Sequence, residues 1–210
     1  MSKETVTFSA NDIEKAYGDS DFERPSFEPV QNTWFEFEVK NALIQTAKAG
    51  HLQLSLMVSA LNSDGETMFT KFVNAPLPVR YKGISPPEAA ASILASTLKS
   101  LLPEVSPYDS IKKNPANEKK RDYFKGGEKL SKEAFEAGEK AQTAAVRSTI
   151  DSLVDPVNSA DSLTGLIGRR FFAKLSADKT GKFINVKPMV GILSEGEVVV
   201  YDTRTAYGRV

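Results

Sequence analysis

Hydrophobic and polar residues alternate most regularly between Thr33 and Asn74, and this alternation predicts three consecutive β-strands. In the first segment, Phe35, Phe37 and Val39 alternate with Trp34 and charged residues. In the second segment the alternating apolar residues are Leu52, Leu54, Leu56, Val58 and Ala60. A Lys-Ala-Gly turn separates the first two strands and Ser-Asp-Gly separates the second from the third. The pattern predicts a sheet with one buried face.

The Ser-Asp-Gly turn sets the register that we expect between the second and third strands. In a three-residue loop with Gly65 in the left-handed conformation, Asn62 lies opposite Glu66. Three residues of the third strand then share the buried face: Met68, Thr70 and Phe72. The exposed face carries a ring, a thioether and a cation: Phe69, Met57 and Lys71. A two-residue Asp-Gly turn would shift the register by one residue and exchange the faces of the third strand.

An exposed ring next to a cation suits the stacking of unpaired bases, because every base has a π-face and the nucleic-acid backbone needs positive charge nearby. Phe69, Met57 and Lys71 are therefore candidate nucleic-acid contacts. The alternative is that helices from later in the chain cover Phe69 and Met57, since aromatic residues on strands usually serve packing.

Two helices are predicted after the strands. Ser85 at the N-cap, Pro86 at the first helical position and Glu88 in a capping-box spacing begin the first helix, and Pro103 ends it. The second helix is predicted from Lys132 to about Val154, with Ser131 as its cap.

Two segments between these elements combine rings with cations. Prolines between Ala75 and Gly83 predict a connector rather than a central strand, and this connector places Arg80, Tyr81 and Lys82 together. The segment from Pro107 to Ser131 has few aliphatic residues, which predicts a mobile basic loop. Its candidate contacts with a single strand are Lys112, Lys113, Lys119, Lys120, Arg121, Tyr123 and Phe124. The alternative for this segment is a solvated linker.

The amino-acid composition argues against several kinds of metal site and catalytic site. Cysteine is absent and His51 is the only histidine, which argues against disulfides, thiolate metal sites, histidine-cluster metal sites and a Ser-His-Asp relay. Glu36 and Glu38 share a strand face, but Lys40 follows and nothing apolar raises their pKa, so a metal-dependent hydrolase is not supported. We expect no catalytic residues, no metal and no cofactor.

The net charge is zero, but the charges are segregated along the chain. Nine carboxylates face three basic residues up to Glu38, whereas eight basic residues face three acidic ones between Lys112 and Lys132. Between Arg169 and Lys187, six basic residues face one aspartate. Segregated charge of this kind indicates a polyanionic partner.

The last structured portion is predicted to be two strands, Gly168–Leu175 and Phe183–Lys187, joined by a polar turn. Together with the three earlier strands and the helical insertion, this hairpin resembles the OB-fold arrangement of bacteriophage single-stranded DNA-binding proteins. The positions that carry the resemblance are Gly168, Arg169, Phe171, Phe172, Ala173, Lys174, Gly181 and Asn185.

The resemblance implies a mainly β fold with helical insertions, that is, an OB-fold-like five-stranded barrel plus two helices. It implies an acidic N-terminal lead-in over 1–32, an OB-like domain over 33–192 with a helical insertion at about 85–156, and a C-terminal tail over 193–210. The implied binding groove runs between two loops, which supply Lys48, Lys179 and Lys182. The strand bordering the groove supplies Arg169, Arg170 and Lys174. The family often ends in an acidic tail, whereas this chain ends in a segment of mixed charge.

The resulting hypothesis is a sequence-nonspecific single-stranded DNA-binding protein that acts in phage DNA replication, recombination or repair. Its partners would be single-stranded DNA and replication or recombination proteins. The alternative is a structural or protein-interaction module of a virion or host complex. The sequence has no apolar run long enough to cross a bilayer and no signal peptide, so we expect a cytoplasmic location, in the host cytoplasm if the protein is viral.

Overall fold

The computed structural model describes residues 33–114, 117–155, 159–177, 184–188 and 198–202, which form a main sheet, a small sheet and three helices. The first strands are β1 (Thr33–Thr46), β2 (Leu52–Leu61) and β3 (Thr67–Pro76). The middle of the chain contains α1 (Ala90–Leu101), a 3-10 turn (Pro103–Val105), β4 (Ser110–Asn114), β5 (Asn117–Lys125), β6 (Glu128–Lys129), α2 (Lys132–Val154) and α3 (Ser159–Leu166). The last strands are β7 (Arg170–Ala177), β8 (Ile184–Pro188) and β9 (Val198–Val199).

The main sheet has the strand order β3-β2-β1-β7-β8, with antiparallel neighbours throughout this path. The long strand β1 pairs with β7 from Trp34 to Glu38 and with β2 from Phe37 to Thr46. A bulge between Val39 and Asn41 interrupts the pairing with β2, and a bulge of this kind bends a strand. The short strand β9 adds to the start of β1 in parallel, so part of the predicted C-terminal tail belongs to the sheet.

One side of the main sheet, the core face, is covered by the helices. Phe35, Phe37 and Val39 of β1 are buried there, as their alternation predicts. The helical residues buried in the same apolar cluster are Leu94, Leu98, Leu101, Leu102, Val146, Leu153 and Leu166. Cα atoms of β3 and β8 come within 8 Å of each other, but no hydrogen-bonded ladder joins these strands within the described residues. The closed barrel that we expected is therefore not observed in this part of the chain.

The turn between β2 and β3 forms as predicted, but the predicted register of β3 is wrong. The Asn62 N–H donates to the Glu66 carbonyl at 2.9 Å, and Gly65 has a φ of +80°. Beyond the turn, Leu61 pairs with Thr67 whereas Ala60 pairs with Phe69, so Met68 is the extra residue of a β-bulge. Because side chains alternate between faces, this single residue exchanges the two faces of β3.

Three of the four predicted ends of α1 and α2 agree with the structure. The Ser131 side chain accepts a hydrogen bond from the Ala134 N–H at 3.2 Å, which confirms it as the cap of α2. Helix α1 ends before Pro103 as predicted, and α2 ends at Val154. The predicted Ser85 cap is wrong, because a turn closed by the Pro87 carbonyl and the Ala90 N–H precedes α1. The short helix α3 was not predicted.

The segment predicted as a mobile loop forms a small antiparallel sheet, β4-β5-β6, which we call the basic hairpin. It is attached to the body by an aromatic cluster of Tyr108, Tyr123 and Phe135. The ring centroids of Tyr123 and Phe135 are 4.2 Å apart and stacked, and those of Tyr108 and Tyr123 are 5.0 Å apart. Aromatic contacts thus hold a segment that has few aliphatic residues.

Gly138 packs closely beside the aromatic cluster, so a larger residue at this position is expected to destabilise the fold. A Cβ at Gly138 would lie 2.8 Å from the Pro107 Cβ and 2.9 Å from its Cα. Gly138→Ala is expected to lower the free energy of unfolding by about 1–2 kcal/mol, because this clash exceeds the gain in helix propensity. The control is Gly165→Ala in α3, where a Cβ meets nothing within 4 Å, and a gain of about 0.5–1 kcal/mol is expected. Urea unfolding measures both; a stabilised Gly138→Ala protein would contradict the packing.

Candidate nucleic-acid interface

The side of the main sheet opposite the core, here called the outer face, is built on β2 and β3. Its residues on these strands are Gln53, Ser55, Met57, Ser59, Thr70, Phe72 and Asn74. The Ser55 hydroxyl donates to the Asn74 side-chain oxygen at 2.8 Å, and the hydroxyls of Ser59 and Thr70 are 3.1 Å apart. These pairs satisfy the polar groups between the strands, so Phe72 is left as the large exposed residue of β3, with 65% of its surface accessible.

Phe72 borders a groove between β3, the start of α1 and β8, with a volume of about 660 Å³. We call it the Phe72 groove. The polar residues lining it are Asn74, Ser92, Ser96, Thr97, Asn185 and Lys187, and Ile93 adds a second exposed apolar side chain. The groove therefore combines an exposed ring, carboxamide groups and an exposed cation. Such groups offer stacking, hydrogen bonds to base edges and a contact for phosphate.

Phe69 and Lys71 do not contribute to the outer face, contrary to our expectation. The Phe69 ring lies edge-on to Phe35 at 5.5 Å and to Phe37 at 5.9 Å, and it packs against the core. Lys71 pairs with Val58 and lies on the same side of the sheet as Phe69. The bulge at Met68 is the cause of both differences. Met57 does lie on the outer face, as predicted. There it pairs with Phe72, which was expected on the buried face.

The cations of the β7 half of the outer face already have contacts within the chain. Arg170 lies 3.5 Å from a Glu36 oxygen and 3.4 Å from a Glu38 oxygen, and the Lys174 ammonium lies 4.8 Å from the centroid of the Trp34 ring. A hydrogen bond from Lys40, aided by Arg170, holds the pKa of Glu38 below its usual value although burial opposes this. Arg170 and Lys174 are thus on the expected face, but each already has a partner within the chain.

Arg169 does not lie on the outer face, because its side chain is held at the ends of two helices. Its guanidinium contacts Glu104 at 2.6 Å and donates to the carbonyls of Leu101 at 3.2 Å and Gly165 at 2.8 Å. These carbonyls lie near the C-terminal ends of α1 and α3, where backbone oxygens lack helical partners. The predicted role of Arg169 at the groove border is not supported by this placement, because its donors are directed at the helix ends.

Arg169→Met is expected to lower the free energy of unfolding by about 1–3 kcal/mol, since charged hydrogen bonds to two helix ends are lost. Burial alone would raise the pKa of Glu104, but the hydrogen bond from Arg169 holds it below its usual value. A carboxyl group with a depressed pKa stabilises the fold above its ordinary pKa and loses this contribution as the pH falls. The destabilisation should therefore shrink below about pH 4, as urea unfolding at two pH values would show. An undiminished difference in acid would contradict this coupling.

Two turns at the far end of β3 bring further cations together. A Cβ at Gly50 would clash with the Ile84 Cδ1, so the β1–β2 turn, which carries the exposed Lys48, contacts the turn at Tyr81–Ile84. The Lys82 ammonium lies 5.1 Å from the centroid of the Tyr81 ring, and the exposed Arg80 donates to the Gly83 carbonyl at 3.1 Å. Arg80, Tyr81 and Lys82 thus lie beside the turn that carries Lys48.

The two aromatic candidate contacts of the basic hairpin, Tyr123 and Phe124, lie on opposite sides of it. Tyr123 is half-buried in the aromatic cluster, where Phe135 stacks on its ring and Tyr108 lies tilted beside it. Phe124 lies on the other side, where the Lys112 ammonium is 4.9 Å from its ring centroid. Lys120 and Arg121 are exposed. The side chains of Lys113 and Lys119, and the whole of Lys179 and Lys182, lie outside the described residues.

The sequence prediction missed Phe72 and Lys187 as candidate contacts. The signal for Phe72 was present in the alternative register, which exchanges the faces of the third strand. Asn185 was noticed through the family resemblance, whereas nothing in the sequence places it beside Phe72. Comparison of the chain with protein-family models, curated proteins and solved structures finds no match. Within the described part of the chain, no cluster of metal-ligating side chains and no helix long and apolar enough to cross a membrane is found.

Proposed function

We propose that this chain is a sequence-tolerant single-stranded DNA-binding protein and that its main sheet is an OB-like barrel. The strand order β3-β2-β1-β7-β8, with α1, the basic hairpin, α2 and α3 between β3 and β7 in the chain, supports an OB-like arrangement with a helical insertion. The proximity of β3 and β8 supports closure of the sheet around the core face. OB-folds bind oligonucleotides on the outer surface of their second and third strands, and here these strands are β2 and β3.

The observation that carries the proposal is the exposure of Phe72 beside a groove containing Lys187. A phenylalanine ring that is 65% exposed on a strand leaves apolar surface in water, and a stacked base would cover this surface. Asn74 and Asn185 provide donors and acceptors for base edges or for ordered water, and neither requires one particular base. This combination favours sequence-tolerant binding.

Positive charge flanks this stacking position on the protein surface. Lys187 lines the Phe72 groove, and β3 leads through Pro76 and Leu77 into the turn with Arg80 and Lys82. Lysines and arginines near a nucleic-acid strand displace condensed counterions from phosphates, which makes the affinity depend on salt. The mechanism involves binding alone: bases stack on the outer face and the flanking cations neutralise phosphates. We place this activity in DNA replication, recombination or repair.

Fluorescence anisotropy of a labelled oligo(dT) tests the proposal. We expect tighter binding to oligo(dT) than to a duplex of equal length, and a linear fall of log K with log salt concentration. A label on the DNA is preferable to intrinsic fluorescence, because Trp34 is only 3% exposed and a stacked base cannot reach it. Equal affinity for both forms, or no binding at low salt, would contradict the proposal.

A second candidate function is supported by the exposure of two apolar side chains in the same groove. Phe72 and Ile93 are 65% and 41% exposed, and exposed apolar patches also mark protein interfaces. A structural or protein-interaction module would form a defined oligomer or complex through this surface and would ignore oligo(dT). Sedimentation analysis with and without oligo(dT) distinguishes the two functions.

A further inference from the structure

The basic hairpin carries a dense positive charge, and the contacts that fix it leave this charge on its surface. Between Lys112 and Lys129 there are seven basic residues against three acidic ones. On one side of the hairpin, Tyr123 is stacked on Phe135 of α2. Because neighbouring residues of a strand point to opposite sides, Phe124 lies on the side away from this cluster. The register puts Lys112 and Lys129 on the same side as Phe124.

Local contacts orient these lysines. The Lys112 ammonium lies over the Phe124 ring at 4.9 Å, and Lys129 lies 2.9 Å from an oxygen of Asp122. A cation above an aromatic face is held by the ring quadrupole and keeps its charge. Lys112, Lys120 and Lys129 are all exposed, and so is Lys125, which lies on the side of Tyr123 and donates to the Ser106 carbonyl at 2.8 Å. The side of the hairpin that carries Phe124 thus presents these three ammonium groups with Asp122 among them, whereas the exposed Glu128 pairs with Lys125 on the other side.

The base of the hairpin is held firmly against α2. The Tyr108 and Tyr123 rings stack with Phe135, and burial raises the pKa of the Tyr108 hydroxyl. The Asp109 N–H donates to the Phe124 carbonyl at 2.7 Å, and the Gly126 N–H donates to an Asp109 oxygen at 3.0 Å. A charged surface on a fixed support loses little conformational entropy when a ligand binds.

We infer that the basic hairpin is a second nucleic-acid site, which binds the sugar-phosphate backbone through charge and without base stacking. The inference rests on the proposed function and assigns a separate role to this surface. Each ring of the described hairpin already has a partner on one face, Phe135 for Tyr123 and the Lys112 ammonium for Phe124, and both rings are half-buried, so the exposed ammonium groups are its more accessible contacts. The Phe72 groove, in contrast, offers an exposed ring and one lysine.

The two sites are far enough apart to be tested separately. The groove is lined by residues of the first two turns of α1, and the hairpin follows the C-terminal end of this helix. The α1 residues that line the groove, Ser92 to Thr97, lie about 6–14 Å along the helix from Leu101 at its end. A nucleic-acid strand with about 3.4 Å per nucleotide needs roughly two to four nucleotides to cover this length. An oligo(dT) of about two nucleotides therefore reaches one site, and one of about twenty nucleotides reaches both.

The test uses a triple variant, Lys112→Ala with Lys120→Ala and Lys129→Ala. Its matched control removes three exposed cations from α2: Lys132→Ala, Lys140→Ala and Arg147→Ala. The probes are a short oligo(dT), a long oligo(dT) and a long abasic oligonucleotide, each measured by anisotropy over a range of salt. Circular dichroism and thermal unfolding establish that both variants are folded.

For the hairpin variant we expect at least tenfold weaker binding of the long oligo(dT) and of the abasic probe, with short oligo(dT) unchanged. The slope of log K against log salt should fall by about two, because three phosphate contacts each contribute about 0.7. The α2 control should change the affinity for each of the three probes by no more than about twofold. Phe72→Ala should leave the affinity for the abasic probe unchanged.

Two different results would overturn the two proposals. If the wild-type protein binds long oligo(dT) but the hairpin variant and the α2 control behave alike, the second site is wrong and the proposed function stands. If the wild-type protein binds no oligo(dT), the proposed function fails, whatever the abasic probe does.

Discussion

Phe72→Ala is expected to weaken the binding of oligo(dT) by about 1–3 kcal/mol, which corresponds to a roughly 5- to 150-fold higher Kd. The reason is that the ring offers an exposed stacking surface on the outer face, where the rest of β3 is polar. The free energy of unfolding should change by no more than about 0.5 kcal/mol, because a side chain that is 65% exposed contributes little to the core. Anisotropy and urea unfolding measure the two quantities.

The matched control is Ile167→Ala, which truncates another exposed apolar side chain outside the Phe72 groove. This variant should bind oligo(dT) like the wild type. If both variants lose affinity equally, or if neither does, Phe72 has no special role in binding.

Phe69→Ala is expected to give the opposite pattern, a loss of about 2–4 kcal/mol in the free energy of unfolding. Its ring contacts Phe35 and Phe37 edge-on, and the truncation would leave a cavity beside two fully buried rings. The folded variant should bind oligo(dT) with an affinity within about twofold of the wild type, because the ring lies on the core face.

The pair Phe69→Ala and Phe72→Ala therefore reports directly on the register of β3. A stable Phe69→Ala protein that no longer binds oligo(dT) would mean that the third strand has the register without the bulge. Urea unfolding of both variants in parallel, with binding measured on the same preparations, gives the comparison.

The sequence predicts the strands of the main sheet and its core face well, because period-two alternation is strong in β1 and β2. It also predicts the turn at Gly65 and the Asn62–Glu66 pair. It does not predict the bulge at Met68. The hydrophobic pattern of β3 is compatible with both registers, because each face of the strand carries apolar residues. The placement of Phe69 and Phe72 therefore needed three-dimensional information.

The basic hairpin shows a different limit of sequence analysis. Its strands contain mostly charged residues, so they lack the alternation that marks a half-buried strand. They are held by a few aromatic contacts with α2, which lie far apart in the sequence: Phe135 stacks on both Tyr108 and Tyr123. In the same way, the Phe72 groove depends on β3, α1 and β8 meeting in space. Sequence patterns identified candidate residue types there, but not their neighbours.

Photocrosslinking tests the central claim most directly, because it identifies the residues that touch a bound base. Oligo(dT) carrying a photoreactive thymidine analogue would be irradiated in complex with the full chain, and the linked peptides would be identified by mass spectrometry. We predict a principal crosslink in the β3 peptide at Phe72, which is lost in Phe72→Ala. Crosslinks confined to α2 and α3, or a pattern unchanged by Phe72→Ala, would contradict base stacking on the outer face.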